Sequence, residues 1–245
     1  MATFNLTLRR YQIDSDKNGW AQWQTHYEER TLSGSQVAVI VCDMWDNHWS
    51  RGAVERVNSM VPQMNQVLHA AREKGAHILH APSGTLDVYA KSPARQRMVS
   101  TPAIALPQPI EHPDPSLPID DSDGGSDTGE TTTFHAWSRQ HPALEIVEEK
   151  DGISDSGEEI YRYLTAQQVE QVLIMGVHTN MCVLHRSFGI KQMVRWGVPI
   201  ALVRDLTDTM YNPAKPPYVS HDEGTQLVIG YIERFWCPTI DSGQL

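Results

Sequence analysis

The chain has 245 residues, which is enough for one α/β domain with a full hydrophobic core and short for two. Acidic side chains outnumber basic ones by 30 to 20, which gives a formal net charge of -10. This excess argues against nucleic acid or an anionic membrane surface as a partner, because both need a basic face on the protein. The excess does not exclude an anionic small-molecule substrate, because a local Arg or Lys can override the overall charge.

The three cysteines, Cys42, Cys182 and Cys237, lie far apart in the sequence and form no C-x-x-C pair. We therefore expect neither a disulfide framework nor a structural zinc site. The N-terminus has no apolar run of signal-peptide length, and no segment is long enough to span a membrane. As written, the sequence predicts a cytoplasmic protein, and a periplasmic or secreted location stays open if a leader was removed.

The first 35 residues predict a hairpin-like extension. Residues 4–10 and 22–29 alternate in character and include aromatic and β-branched side chains, and the stretch 14–19 between them is rich in turn formers. We expect residues 36–245 to form one domain.

The core begins with a nearly continuous apolar run at residues 36–42, which is typical of a parallel strand buried on both faces. A helix follows, because apolar residues recur at steps of three and four from Val57 to Ala71, and Gly75 ends it. Residues 76–81 predict a second strand, so these elements make one βαβ unit.

Strands and helices continue to alternate in the second half of the chain. The predicted elements are a short strand at 146–149, a helix at 158–168, a strand at 171–176, a helix at 182–196, a strand at 199–203 and a last helix from Ser220. Glu223, three residues after Ser220, completes a capping box. This alternation predicts an α/β fold with a parallel sheet and right-handed crossovers.

Residues 100–133 predict a long loop that adds little to the core, since they are Pro-rich first and then acidic and Gly-rich. Asp121, Asp123 and Asp127 suggest a calcium loop, but the glycines at 124 and 125 do not fit EF-hand spacing. We favour a solvated or disordered loop.

Three ionisable residues lie where strands of this sheet are predicted to end, which is where open parallel sheets bind ligands. Asp43 follows the strand at 36–42, Lys150 follows the strand at 146–149, and Cys182 opens a helix. A thiol at a helix N-terminus has a lowered pKa, which a nearby lysine lowers further. Asp43 can then exchange the proton, while backbone N–H groups hold an oxyanion. A small buried hydrophobe is the alternative for Cys182.

Four segments in this order resemble the isochorismatase-like (nicotinamidase-like) hydrolases: VAVIVCDM at 37–44, a lysine after an acidic stretch at 150, GVHTNMCV at 176–183 and LVRDLTD at 202–208. The resemblance implies a Rossmann-like three-layer sandwich with a mostly parallel six-stranded sheet and helices on both faces. It also implies that Cys182 is the nucleophile, Asp43 the general acid and base, and Lys150 the cation that stabilises the thiolate.

The resemblance further implies a cis peptide bond at Val177–His178. The backbone N–H groups of His178 and Cys182 would then form the oxyanion hole. It implies a homo-oligomer as well, either a dimer or a tetramer.

The sequence departs from this family pattern in three places. Trp45 replaces a frequent glutamine, His185 and Arg186 stand where small residues are common, and residues 80–84 lack the D-x-H metal motif of nicotinamidases. These departures argue against nicotinamide as the substrate. We expect the reaction to use no metal and no cofactor.

Several other side chains are candidates for substrate contact, and we select Trp45, His48, Trp137, Thr179 and Arg186. Trp45, Trp137 and also Trp49 could line an apolar pocket. Packing in the core or in an oligomer interface is the equally favoured alternative. We expect Asp46 and His48 to face substrate or solvent, and we consider metal binding by them the less favoured alternative. The sequence also leaves open whether the acidic loop at 120–130 binds a metal. His77 and His80 lie three apart on a strand and so cannot share a metal.

Arg186 lies four residues after Cys182 in the predicted helix, so the two project from one face. A guanidinium there can bind a substrate carboxylate through two nitrogens. The alternative, which we favour, is a structural ion pair with Asp205 or Asp208.

Together these features predict an enzyme that hydrolyses a small-molecule C–N bond of the amide type through a thioester on Cys182. An isochorismatase-type vinyl-ether hydrolase is one alternative, although that chemistry needs no cysteine nucleophile. A non-catalytic binding protein on the same fold is another, although a binder has no need of a reactive thiol.

Overall fold

The computed structural model describes residues 2–245. Its strands are β1 (Thr3–Ser15), β2 (Ala21–Ser33), β3 (Val37–Cys42), β4 (His77–Ala81), β5 (Gly152–Ile153), β6 (Gln171–Val177), β7 (Ile200–Asp208) and β8 (Thr239–Ile240). Its α-helices are α1 (Arg51–Lys74), α2 (Pro93–Ser100), α3 (Gly157–Ala166), α4 (Ile190–Arg195) and α5 (His221–Phe235). None of the helices in residues 2–245 is both long and apolar enough to cross a membrane.

All eight strands form one sheet in the order β2-β1-β8-β7-β6-β3-β4-β5. Strands β3 to β8 pair in parallel, which confirms the predicted α/β fold with a mostly parallel sheet. The sheet has eight strands instead of six because the N-terminal hairpin joins it. Strands β1 and β2 pair along their whole length, and β1 continues the sheet by an antiparallel pairing of Arg9 with Thr239 on β8.

Helices cover both faces of the parallel part because the side chains of its strands alternate between two cores. In β3, Val39 and Val41 belong to the core beneath α1, while Ala38 and Ile40 belong to the core beneath α3, α4 and α5. All six residues of β3 are buried, as expected for a central strand that is covered on both sides.

Two predicted helix ends are present in the structure. Gly75 caps α1 with a left-handed φ of 96°, a conformation that glycine adopts without a steric penalty. Ser220 caps α5, and its reciprocal bonds with Glu223 form a capping box.

The helix predicted at 182–196 is wrong as one element. The chain forms a π-helical turn at Thr179–Val183, and α4 starts only at Ile190. Between them, Phe188 is buried in the core and the Ser187 hydroxyl accepts a hydrogen bond from the backbone of Gly157 at the start of α3. A continuous helix would lose this packing, so tertiary contacts override the helical periodicity.

The strand predicted at 146–149 is absent, and a turn stands there before β5. The cause is Asp151, whose buried carboxylate accepts hydrogen bonds from Arg72 and from the backbone N–H of Val147. The short bond to Val147 closes a turn where an extended strand was expected.

The long loop at 100–133 has little regular structure, as predicted, and residues 101–118 include none that is buried. Its acidic part is nevertheless anchored to the domain, because each carboxylate of the suspected calcium loop binds a side chain from another segment. Asp121 accepts a hydrogen bond from Asn180, and Asp123 accepts one from Asn212. Asp127 forms an ion pair with Arg56 on α1.

We predict that Gly176→Ala destabilises the protein by about 2–4 kcal/mol. Gly176 has a φ of 111°, and a Cβ atom there would collide with the carbonyl oxygen of Cys42 on the neighbouring strand. Urea unfolding measures the effect. Gly243→Ala is the matched control, since a Cβ there meets no atom within 4 Å, and we expect a change of at most about 0.5 kcal/mol. Equal stability of the two variants would contradict the close approach of β3 and β6.

Candidate active site

The candidate active site lies where β3 and β6 end, side by side at the carboxyl edge of the sheet. Asp43 directly follows β3, and the turn that holds Cys182 follows β6. Asp43 adopts a left-handed φ of 46°, which is uncommon for any residue but glycine and tends to occur at functional sites. Its backbone N–H donates to the carbonyl of Ala81 on β4, which fixes the residue across two strands.

The Asp43 side chain is fully buried and bound by two partners. Its Oδ1 accepts a hydrogen bond of 2.7 Å from the backbone N–H of Ser83, and its Oδ2 accepts one of 2.9 Å from Nε of Arg186. Burial raises the pKa of Asp43, while the Arg186 guanidinium, Ser83 and the nearby Cys182 thiol oppose that rise.

Arg186 is the cation of this site. Its backbone N–H donates to the carbonyl of Cys182, so the two residues lie one turn apart as predicted. Its guanidinium pairs with Asp43, and its carbon Cζ lies 5.9 Å from the ring centroid of Trp45. The expected ion pair therefore exists, but its partner was predicted wrongly.

The two carboxylates that we expected to pair with Arg186 bind elsewhere. Asp205 accepts hydrogen bonds from Ser242, and Asp208 pairs with Arg56 and His221. Both lie on β7, on the other side of β6 from Asp43, and their own partners occupy them there.

The structure does not bring Lys150 to this site. Lys150 is exposed in the turn that precedes β5, whereas ligand-binding residues follow the strands. The neighbouring Asp151 is buried between Arg72 and His80, which draws the chain inwards at 151 and leaves residue 150 outside. In this arrangement Arg186 provides the charge that the resemblance assigned to Lys150.

The prediction of a lowered thiol pKa at Cys182 is also wrong. Burial and the nearby Asp43 carboxylate raise the pKa of Cys182 to about 12, and the Arg186 guanidinium only partly opposes them. Cys182 lies inside the π-helical turn, not at its first residue, so it does not have the position next to the helix end that we expected. The resting side chain is a neutral thiol at pH 7.

His178 lies between the strand and the cysteine turn. The Val177–His178 peptide bond is cis, and a backbone hydrogen bond from His178 lowers the pKa of the Cys182 thiol. The His178 carbonyl accepts hydrogen bonds of 3.0 Å and 3.1 Å from Met181 and Val183, which hold the turn closed. Its ring is uncharged at pH 7, because burial lowers its pKa to about 3.

An open cavity of about 510 Å³ lies beside the thiol. Its lining residues are Leu117, Asp121, Asn180, Met181, Cys182, His185 and Arg186. Its size suits a small molecule, and the nucleophile and the cation both face it.

The aromatic candidates form a stack next to Asp43. The rings of Trp45 and Trp137 lie 4.1 Å apart, and His48 stacks on Trp137 at 5.8 Å. Trp45 is buried and donates its Nε1–H to the carbonyl of Ser83. Trp45 and His48 line a separate cavity of about 10 Å³, which is about the size of one water, so they support the site more than they contact a substrate.

Thr179 does not reach the cavity, since it is fully buried and hydrogen-bonds to Thr207.

Asp46 accepts hydrogen bonds from Ser138, which lower the pKa of its carboxyl although burial opposes them. His77 and His80 bind different partners, Tyr163 and Asp151. Among residues 2–245, no three His, Cys, Asp or Glu side chains are grouped as metal ligands.

Sequence reasoning missed three residues of the site. Ser83 holds the Asp43 carboxylate through its backbone N–H, for which a sequence carries no signal. Asp121 and Asn180 line the cavity. The sequence could have indicated Asn180, because it lies two residues before Cys182 in the motif at 176–183. The position of Asp121 could not be predicted, because it depends on the path of a long loop.

We predict that Arg186→Met lowers the stability at pH 7 by about 2–4 kcal/mol, because it leaves the Asp43 carboxylate buried without a charge partner. The range is below that of a fully buried pair, since 37% of the Arg186 side chain is exposed.

This loss depends on pH with a defined sign. Without Arg186, the pKa of the buried Asp43 rises further above its unfolded value, so the variant loses stability as the pH rises from about 4. Denaturant unfolding between pH 4 and 8 measures it. The double variant Asp43→Asn/Arg186→Met should recover most of the loss, and a loss that persists in it would contradict the ion-pair explanation.

Comparison with known proteins identifies the family and supports the fold. The profile of the isochorismatase domain matches residues 37–215. Among solved structures, a cysteine hydrolase from Pseudomonas syringae pv. phaseolicola 1448A matches with a TM-score of 0.52 and 16% identity, over 87% of this chain and 92% of that one. This likeness supports the fold.

Two further solved structures match more weakly. N-carbamoylsarcosine amidase from Thermoplasma acidophilum has a TM-score of 0.45 and 11% identity, over 86% of this chain and 98% of that one. PnC1 from L. infantum, solved with nicotinate, has a TM-score of 0.45 and 14% identity, over 87% and 96%. The comparison with curated proteins finds no match. Since the family profile covers most of the chain, the protein belongs to the isochorismatase family.

Proposed function

We propose that this protein hydrolyses an amide-type C–N bond of a small molecule through a thioester on Cys182. The observation that carries the proposal is the grouping of thiol, carboxylate and guanidinium. The Cys182 thiol interacts electrostatically with Asp43, Asp43 is paired with Arg186, and Cys182 and Arg186 line the same open cavity. Membership of the isochorismatase family supports a hydrolase.

In the first half of the reaction, the thiol proton of Cys182 passes to the Asp43 carboxylate as the sulfur attacks the amide carbonyl carbon. The carbonyl oxygen becomes an oxyanion, which the backbone N–H groups of His178 and Cys182 are proposed to bind. The C–N bond then breaks, and the proton on Asp43 moves to the leaving nitrogen. An amine or ammonia departs, and the acyl group stays on sulfur.

In the second half, a water molecule gives a proton to Asp43 and attacks the thioester carbonyl. The C–S bond breaks, and Asp43 returns the proton to the sulfur of Cys182. The products are a carboxylic acid and the free thiol, so Asp43 serves as base and acid in turn and ends as a carboxylate.

Arg186 has two proposed roles in this cycle. Its charge holds Asp43 as a carboxylate, which is the form that accepts a proton, although burial favours the neutral acid. The same charge lowers the pKa of Cys182 and so stabilises the thiolate that forms during attack. Both effects come from a side chain that is bound at Nε alone, which leaves its outer nitrogens for a substrate carbonyl or carboxylate.

We predict that Cys182→Ala abolishes hydrolysis, because the acyl group then has no acceptor. A panel of primary amides, ureides and carbamates, scored by ammonia release, measures activity. Cys42→Ala and Cys237→Ala are the matched controls and should retain most of it, since both thiols are buried and neither lines the cavity. Full activity in Cys182→Ala, on any substrate that the native protein hydrolyses, would refute the thioester route.

We also predict how Cys182 reacts with iodoacetamide. At pH 7 the reaction should be slow and should accelerate up to at least pH 10, since only the thiolate reacts and the pKa of Cys182 is raised to about 12. Asp43→Asn should speed alkylation at every pH in this range, because it removes a negative charge while the Arg186 cation stays. Peptide mass spectrometry follows the labelling of Cys182.

Lys150→Ala is the matched control and should alkylate like the native protein, because Lys150 lies outside the site. A drop in the alkylation rate with Lys150→Ala as large as the rise with Asp43→Asn would mean that Lys150 reaches the thiol after all.

A further inference from the structure

We propose that the substrate carries a positively charged ammonium group, and that Asp121 binds it. This inference rests on the proposed amide hydrolysis and names the class of amide: a small amino-amide. Asp121 lines the same cavity of about 510 Å³ as Cys182 and Arg186. Four features of that cavity support it.

The first feature is the balance of charge around the cavity. The Arg186 cation is already compensated by the buried Asp43 carboxylate, with 2.9 Å between Nε and Oδ2. Burial lowers the pKa of His185, so its ring is neutral at pH 7. Asp121 forms no salt bridge within residues 2–245, and its side chain accepts a single hydrogen bond, from the neutral amide of Asn180. Of the charged side chains that line the cavity, Asp121 alone has no ion-pair partner among residues 2–245.

The second feature is the attachment of Asp121 to the cysteine turn. Asn180 donates its side-chain amide to Oδ2 of Asp121 over 2.7 Å, which leaves Oδ1 as a free acceptor. Asn180 is itself buried and exchanges two hydrogen bonds with the backbone of Met210. It lies two residues before Cys182, so the carboxylate is held at a fixed place relative to the nucleophile.

The third feature is the rigidity of the loop that carries Asp121. Gly125 has a φ of 73° and packs so closely on the backbone of Met210 that a side chain would collide with it. Asp123 accepts a hydrogen bond of 2.9 Å from Asn212, and Asp127 pairs with Arg56. Several anchors therefore hold the loop, and Asp121 is preorganised before a ligand arrives.

The fourth feature is the chemistry between the two ends of the cavity. Leu117 and Met181 provide apolar surface that a short methylene chain can contact. The outer guanidinium nitrogens of Arg186 are donors for an amide carbonyl near the sulfur. The net charge of -10 attracts a cation to the protein in general, and Asp121 gives that attraction a local target.

The test compares three primary amides of similar length. 4-Aminobutanamide carries an ammonium group, pentanamide has a methyl group in its place, and succinamate has a carboxylate. Ammonia release gives kcat/KM for each amide. We expect the native protein to favour 4-aminobutanamide over pentanamide by about tenfold and to disfavour succinamate, since tenfold corresponds to about 1.4 kcal/mol, the order of one hydrogen bond between charged groups.

Asp121→Asn should reduce the preference for 4-aminobutanamide over pentanamide to about twofold or less, because an amide keeps the shape and loses the charge. Glu111→Gln is the matched control on the same loop: it removes the same charge from an exposed carboxylate that does not line the cavity, and it should keep the tenfold preference. Each comparison is a ratio within one variant, so a general loss of folded protein cannot imitate the result.

A binding measurement separates this inference from the proposed function. Calorimetric titration of the two amides into Cys182→Ala reports their relative affinity without turnover. If 4-aminobutanamide binds more tightly than pentanamide and Asp121→Asn removes that preference, the inference is supported. This holds even if the native protein hydrolyses no amide, because the absence of hydrolysis would overturn the amide chemistry alone. Hydrolysis of both amides at equal kcat/KM, or a preference that survives Asp121→Asn, would overturn the inference and leave the amide chemistry standing. No hydrolysis and no preference in binding would overturn both.

Discussion

A fully buried carboxylate at the end of the central strand, Asp43, constrains everything around it. An isolated charge in that position costs several kcal/mol, so the fold must supply a cation, hydrogen-bond donors or a proton. It supplies the guanidinium of Arg186 and the backbone N–H of Ser83. The first comes from the segment after β6 and the second from the segment after β4. The need to compensate one charge thus draws the cysteine turn and the loop after β4 to the same place.

The same charge sets the chemistry of the thiol. Burial and the Asp43 carboxylate raise the pKa of Cys182 and Arg186 lowers it, so the resting thiol keeps its proton. In the proposed mechanism, a protonated thiol next to a carboxylate favours proton transfer during attack over a preformed thiolate ion pair. The position of the cation matters here. Arg186 is bonded to the carboxylate and lowers the pKa of the thiol, so in that mechanism it would stabilise both partners of the transfer.

Much of the fold could be predicted from the sequence, because the signals involved are local. The run at 36–42 is continuously apolar, Gly75 ends a helix by its own conformational freedom, and Ser220 with Glu223 forms a cap within one turn. Asp43 and Cys182 could be selected for the same reason, since each follows a recognisable buried strand. The predicted helix boundaries were less accurate where core packing competes with helical periodicity. Phe188 is an example, because it lies in the middle of the helix predicted at 182–196 but is buried in the core where that helix is interrupted.

The parts that could not be predicted depend on contacts between residues that are distant in sequence. Arg186 and Asp43 are 143 positions apart, and Asn180 and Asp121 are 59 apart, so no spacing rule links either pair. Lys150 is the opposite case: it stands at the expected position in the sequence motif, but in the structure it lies outside the site. A buried neighbour, Asp151, is bound by Arg72 and His80 and turns the chain so that residue 150 faces solvent. With the lysine outside, a buried carboxylate of this kind can keep its charge only if another cation reaches it. Arg186, one turn beyond the nucleophile, is the side chain that does so.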